Sequence, residues 1–432
     1  MKIRSCVWSA VVTAATLCLF AVACTDGDGP DRGPAGAETV IVHPVEERLL
    51  SSSPDVQVID IRSTPGSGSA AGLEPLQHFD DAGAVGVAEG DPDLTLGTIE
   101  GATFLSDGRL ALVDRDFGLV RLLGGSTPDR LGGFGEGPGE FSRPTGVAED
   151  NSGGLLVLDR AGGALRIERF APEGSGFAFD RRRAVPLFPG DGGSSICITG
   201  GRTYVSGVQL EEEDSAVGAP LEGLLGSRSM VHELDDDGGF LRSFGAPYGP
   251  PEGLVGAQAQ ADNGVDASAM ELDLMLYFGT AQMACDGGQG GQIWVAFSEL
   301  GELHLHTTDG ELVWIARLSD FKLSALHQTI TEFGTSVGGD PNRGFPVVRD
   351  RISDVALVAD EVVALQVTRT RTHLNRTREF SYRTYLLDAN SGQLLGAFTA
   401  DHRIVGGEGG RVLLYREAPH PQVFVTTAVE GM

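Results

Sequence analysis

Residues 99–114 read IEGATFLSDGRLALVD, and residues 144–159 read PTGVAEDNSGGLLVLD. Each stretch is an apolar run, a polar turn rich in Ser, Asp, Asn and Gly, a second apolar run, and a closing aspartate. In the first, Ile99–Leu105 is one strand, Ser106–Arg109 the hairpin turn, and Leu110–Val113 the next strand before Asp114. Leu119–Leu123 and Leu131–Phe134 supply a third and a fourth. Four short antiparallel strands joined by tight turns are one blade of a β-propeller. The second stretch starts another blade. Thr145–Ala148 and Leu155–Leu158 flank the turn 150–154, Asp159 closes the pair, and Leu165–Phe170 and Ala184–Leu187 follow.

Working outward, four more units follow. One holds Ile196–Ile198, Thr203–Val208, Met230–Leu234 and Phe240–Phe244. The next holds Ala281–Cys285, Ile293–Phe297, Leu303–Thr307 and Leu312–Leu318. A fifth holds Ile352–Val358, Val362–Val367, Phe380–Leu387 and Leu394–Phe398. The last has only Ile404–Val405, Val412–Tyr415 and Val423–Ala428. Second strands recur near the period of about 40–50 residues expected of propeller repeats, apart from two long gaps that hold insertions. Leu323, Leu326, Ile330 and Phe333 fall at helical spacing in the second gap. The expected fold is therefore all-β: a six-bladed propeller of four-stranded antiparallel blades. The final blade lacks a strand, and Val56–Ile61 (VQVIDI) is expected to supply it and close the ring.

The chain has 432 residues, with Lys2 and Arg4 ahead of an uncharged apolar run, Val7–Ala23. That run is short for a membrane span and suits a signal peptide. It ends in small residues before Cys24, which resembles a bacterial lipobox. The expected organisation is a signal peptide at 1–23, a lipidated Cys24 with a flexible linker over 24–54, and a propeller over 55–432. This address places the chain in the bacterial cell envelope, held to a membrane through the lipid. The net charge of −28 argues against nucleic-acid binding, which rests on basic contacts to phosphate. Only Cys197 and Cys285 lie in the folded part; each sits near the end of a first strand, and a disulfide between neighbouring blades is expected.

Between the first two blades stand Gly133-Phe134-Gly135-Glu136-Gly137-Pro138-Gly139-Glu140-Phe141 and Arg143-Pro144-Thr145-Gly146. With the 153–154 turn they resemble the NHL repeat, over residues 99–170. That resemblance implies a six-bladed propeller; the family mostly binds protein, peptide or nucleic acid, and some members are lyases. Glu100-Gly101 followed by Phe104 resembles the start of sugar-lactonase propellers, where such a glutamate is a metal ligand. Thr145 stands where that pattern needs Asn, so Glu100 remains a weak metal candidate and no metal or other cofactor is expected. The alternative is a propeller hydrolase or lyase with a divalent cation such as Ca2+ in the channel.

Several motifs have plainer readings. His304 and His306 share one strand face but lie on a third strand, away from the channel. Gly334–Gly338 matches a serine-hydrolase elbow only as a string. Glu211–Asp214 reads as a solvated acidic loop. Asp114 and Asp159 close equivalent strands and should bond backbone amides. Of nine histidines only His402 lies near a first strand, which argues against a His-rich lyase site. The expected function is a non-catalytic, monomeric module that binds an envelope protein or a small ligand. Long loops concentrate on one face, at 209–229, 246–280, 319–351 and 369–378. That face is the expected binding surface, with Tyr248, Tyr277, Phe278, Arg369, Arg371 and Arg376 as contacts.

Overall fold

The computed structural model describes residues 56–62, 84–90, 92, 94–125, 129–162, 164–188, 195–209, 229–245, 280–287, 291–321, 347–372 and 378–427. Cys24, the helix expected near 323–333, the acidic run 211–214, the 334–338 string, Tyr248, Tyr277, Phe278 and Arg376 all lie outside them.

Every described element is a strand. β1 (Gln57–Ile61) precedes the blades. Blade 1 is β2 (Ile99–Phe104), β3 (Leu110–Asp114), β4 (Leu119–Leu123) and β5 (Asp129–Gly132). Blade 2 is β6 (Pro144–Glu149), β7 (Leu155–Ala161), β8 (Ala164–Glu173) and β9 (Gly176–Val185). After β10 (Leu187–Phe188), blade 3 comprises β11 (Ile196–Thr199), β12 (Arg202–Ser206), β14 (Val231–Leu234) and β15 (Phe240–Phe244). A short β13 (Val208–Gln209) pairs back onto β10. Blade 4 is β16 (Ala281–Cys285), β17 (Gln292–Phe297), β18 (Glu302–Thr307) and β19 (Leu312–Leu318). Blade 5 is β20 (Val347–Ala359), β21 (Val362–Thr372), β22 (Arg378–Asp388) and β23 (Leu394–Ala400). Blade 6 is β24 (Arg403–Glu408), β25 (Arg411–Arg416) and β26 (Gln422–Thr427).

The first strands β2, β6, β11, β16, β20 and β24 are successive neighbours, and β24 returns to β2. They form the inner wall of a closed six-bladed ring. Apolar clusters fill the seams. Val113, Leu122, Phe141 and Val157 pack between blades 1 and 2, and Leu158, Ile167, Ile196 and Val205 between blades 2 and 3. Trp294, Trp314, Ile352 and Leu365 do the same between blades 4 and 5. The alternation within each strand explains this: one set of side chains faces the preceding blade and the other the next.

The turns form for local reasons. Asp150 Oδ1 accepts the Ser152 and Gly154 N–H groups at 2.9 and 2.8 Å, and Gly153 takes φ +77°, which a side chain would resist.

Three expectations need correction. Val56–Ile61 does not complete the last blade. β1 instead adds to blade 4 as a fifth strand, parallel to β19, with Gln57 opposite Trp314 and Ile61 opposite Leu318. The physical reason is burial: Ile61 is 1% exposed and joins the cluster of Trp314 and Leu318, with Ile59 packed against it. The ring is closed further along, where Val85 and Val423 exchange two backbone hydrogen bonds of 2.8 Å. Secondly, residues 369–372 are strand rather than loop. β21 runs on through Thr368–Thr372 and pairs with β22, beyond the apolar core where no hydrophobic period marks it. Thirdly, the fourth strand of blade 2 starts at Gly176, because an exposed outer strand such as FAFDRRRAV does not alternate.

Candidate functional site

The six inner strands enclose a central channel of about 270 Å³. Antiparallel order places the start of every inner strand on one face, with the connections between blades. All four of the longest connections leave and re-enter on that face. The inner strands end on the opposite face, at the short hairpin turns.

Four inner strands carry a bulge in the ladder to their second strand. The ladder shifts between Ile99 and Gly101, Pro144 and Gly146, Ile352 and Asp354, and Ile404 and Gly406. Blades 1, 2 and 6 place glycine just after it, because neighbouring strands come close there. A Cβ on Gly406 would sit 2.4 Å from the Ala102 carbonyl oxygen, and one on Gly101 3.4 Å from that of Thr145. Blade 5 places Asp354 at this position. It therefore inserts a carboxyl where the other three have no side chain.

Asp354, Glu100, Thr145, Ser195 and Gln282 line the channel near this end. Glu100 is ion-paired with Arg115. Arg403 sits 3.5 Å from Asp354 Oδ2, donates to the Ile99 carbonyl, and lies 5.5 Å from the centre of the Tyr415 ring. Asp354 Oδ2 is shielded from solvent yet accepts no hydrogen bond. Burial pushes the Asp354 carboxyl up to about 8; Glu100 adds to the rise and Arg403 opposes it. Burial likewise drives Tyr415, whose hydroxyl donates to Gly97 O at 3.2 Å, up to about 12. Ser195 Oγ donates to Gln282 Oε1 at 2.9 Å and accepts the Met283 N–H at 3.0 Å.

At the hairpin end the lining residues are Glu149, Asn151, Gly287 and Glu408. Glu149 accepts the Ser106 N–H and hydroxyl, at 2.6 and 2.8 Å. Glu408 is raised by burial and by the charge of Glu149, with Arg411 opposing.

Arg115 and Arg403 stand against the carboxyls at the Glu100 end, Thr145 offers no amide oxygen, and no group of three acidic, His or Cys side chains converges among the described residues.

Of the other described candidates, the two cysteines also border the channel and the histidines do not. Cys197 and Cys285 are bonded across β11 and β16 with a Cα–Cα distance of 5.8 Å, and both line the channel. His304 and His306 are buried in β18 against Phe297 and Phe244, with ring centres 4.6 and 5.2 Å apart. His402 is buried against Phe424 on the blade 6 side and does not line the channel. Asp114 and Asp159 bond backbone amides as expected, but those of the segment entering the blade: Gly97 for the first, Ser142 and Arg143 for the second. Arg369 holds the buried Asp350 through two hydrogen bonds of 2.6 Å, so it is committed within blade 5. Arg371 is exposed. Sequence reading missed Asp354, Arg403, Gln282, Glu149 and Glu408. Aligning the first strands on the bulge would have flagged Asp354, where glycine is otherwise found.

No family model matches the chain, and no curated protein matches it. Solved structures resemble it at low identity. A protein described as exported, from Bacteroides fragilis, has a TM-score of 0.47 at 10% identity, covering 86% of this chain and 99% of its own. The PQQ-bound aldose sugar dehydrogenase of Streptomyces coelicolor gives 0.40 at 13%, over 77% and 95%. A protein described as a gluconolactonase gives 0.41 at 14%, over 84% and 98%. Likeness at this level assigns no activity to the chain.

Proposed function

We propose that the chain is a lipid-anchored, extracytoplasmic β-propeller that binds a small ligand in its central channel and does no chemistry on it. The observation that supports binding is the channel itself: a cavity of about 270 Å³ to which all six blades contribute lining residues, many of them polar. Concave, preformed sites with a few convergent polar groups are where small ligands bind. The envelope address rests on the basic start, the apolar run and Cys24.

Two experiments test this. Palmitate labelling in a bacterial host should mark the wild type and spare Cys24→Ser; equal labelling ends the anchor reading. Thr145→Trp should fill the channel while keeping the fold. Native mass spectrometry against a panel of small polar metabolites should then show adducts on the wild type alone. The same adducts on both proteins would move binding out of the channel.

A further inference from the structure

We infer that the channel's ligand is a small polar amine, its ammonium seated between Glu149 and Glu408 and its other donors reaching Asp354. This rests on the channel-binding reading above and names the class of molecule that site takes.

The lining chemistry carries it. Among the described residues, every ionisable side chain lining the cavity is a carboxyl: Glu100, Glu149, Asp354 and Glu408. The uncharged polar lining is Thr103, Thr145, Asn151, Ser195 and Gln282. Two nearby guanidiniums stand behind this wall, already engaged: Arg115 on Glu100, Arg403 on Asp354 and the Ile99 carbonyl. A molecule inside the cavity therefore meets carboxyl oxygens and must offer N–H or O–H groups. An anion would face four carboxyls and no base.

The two ends differ, and the difference selects an amine over a neutral polyol. At the Asp354 end, Arg115 and Arg403 stand against the two carboxyls, and what is missing is a hydrogen-bond partner for Asp354 Oδ2. At the hairpin end, among the described residues, Glu149 accepts from the neutral Ser106, and Glu408 feels the opposed charges of Arg411 and Glu149. These two carboxyls repel each other, and a cation between them removes that cost. Along an inner strand the two ends are four residues apart, as Thr145 and Glu149 are, on the order of 13 Å. A flexible amine with several donors spans that length; a single ammonium ion does not.

Spermidine is the probe, titrated calorimetrically at neutral pH and moderate salt into the whole mature protein, with sorbitol and citrate as neutral and anionic controls. The expected result is one spermidine per chain, weakened about tenfold or more by Glu408→Gln and by Asp354→Asn separately. Asp236→Asn, on an exposed turn away from the channel, should bind as the wild type does. Binding of several spermidines, lost equally with Asp236→Asn, would show counter-ion attraction to an acidic surface and overturn the inference. Sorbitol or citrate bound in place of spermidine would overturn the amine while leaving channel binding intact. No binding by any probe would overturn the amine as well; adducts from the metabolite panel then decide separately whether the channel reading survives.

Discussion

Blades 2 and 5 each bury an aspartate beside an arginine, and they put the pair to opposite ends. In blade 2, Asp159 is fully buried and its oxygens accept the Ser142 and Arg143 amides and the Arg166 Nε–H, the last at 2.7 Å. Arg166 goes on to the carbonyls of Gly135 and Glu140. The pair clamps the segment that enters the blade. In blade 5, Asp354 lies 3.5 Å from Arg403, its Oδ2 accepts no hydrogen bond, and it borders the channel. The same two side chains are a fastener where every lone pair is used and a candidate site where one is not.

Breaking the fastener should have the largest effect. Asp159→Ala leaves two amides unpaired and Arg166 with only the Glu168 carboxylate, 3.3 Å away, to match its charge, a loss of about 3–5 kcal/mol. A urea titration reads it as a fall in midpoint. Asp354→Asn under the same conditions should move the midpoint far less. A reversal of that order would erase the distinction between the two blades.

Acid should expose a second contrast, between buried groups of opposite sign. His232 and His306 are held neutral by burial, down to about 4 and about 3. Their folded values lie below the ordinary 6.5, so their contribution is complete above that pH and is lost as pH falls toward 4. From pH 8 to 5 the loss is about 2 kcal/mol for each histidine. His306→Phe should remove its share of the slope in midpoint against pH; an unchanged slope would mean that His306 keeps its charge in the fold.

The seam between blades 3 and 4 offers a third test. The Cys197–Cys285 bridge closes a loop with a sequence separation of 88 between inner strands. Replacing both cysteines with serine should cost about 2–4 kcal/mol and speed amide exchange in β11 and β16 ahead of β2 and β6. The denatured, unreduced mature protein should show neither thiol free. Two free thiols would remove the bridge.

How far the sequence was legible follows from what each residue packs against. The first three strands of blades 1 and 2 could be read one by one, because LALVD and LLVLD lie between two apolar seams and glycine turns bound them. β9 and the end of β21 could not, since an outer or protruding strand has solvent on one side and no period to show. β1 was visible as a strand, but its partner was not: a five-residue apolar run carries no address, and Trp314 rather than the open edge of blade 6 took it. The channel was least legible. Its residues come from all six blades, with Glu100, Thr145, Asp354 and Glu408 standing 45, 209 and 54 positions apart in turn, and only the ring brings them together.

The smallest effect concerns Asp354 alone, and its sign is distinctive. The folded-state value is about 8 against an ordinary 3.8. Between those values the folded chain holds a proton that the unfolded chain has released. The resulting stability is complete below the ordinary value and is lost as pH rises through about 8, the reverse of a salt-bridged carboxylate. Arg403 facing it from β24, Glu100 from β2 and Tyr382 from β22 are the charged or titratable groups that act on it. Between pH 6 and 9 the loss is on the order of 2 kcal/mol. Asp354→Asn has no proton to release, so its urea midpoint should stay flatter over that interval. Glu408, raised in the same direction, leaves part of the slope in place. Parallel curves for wild type and variant would show that Arg403 keeps Asp354 ionised, making blade 5 a fastener like blade 2.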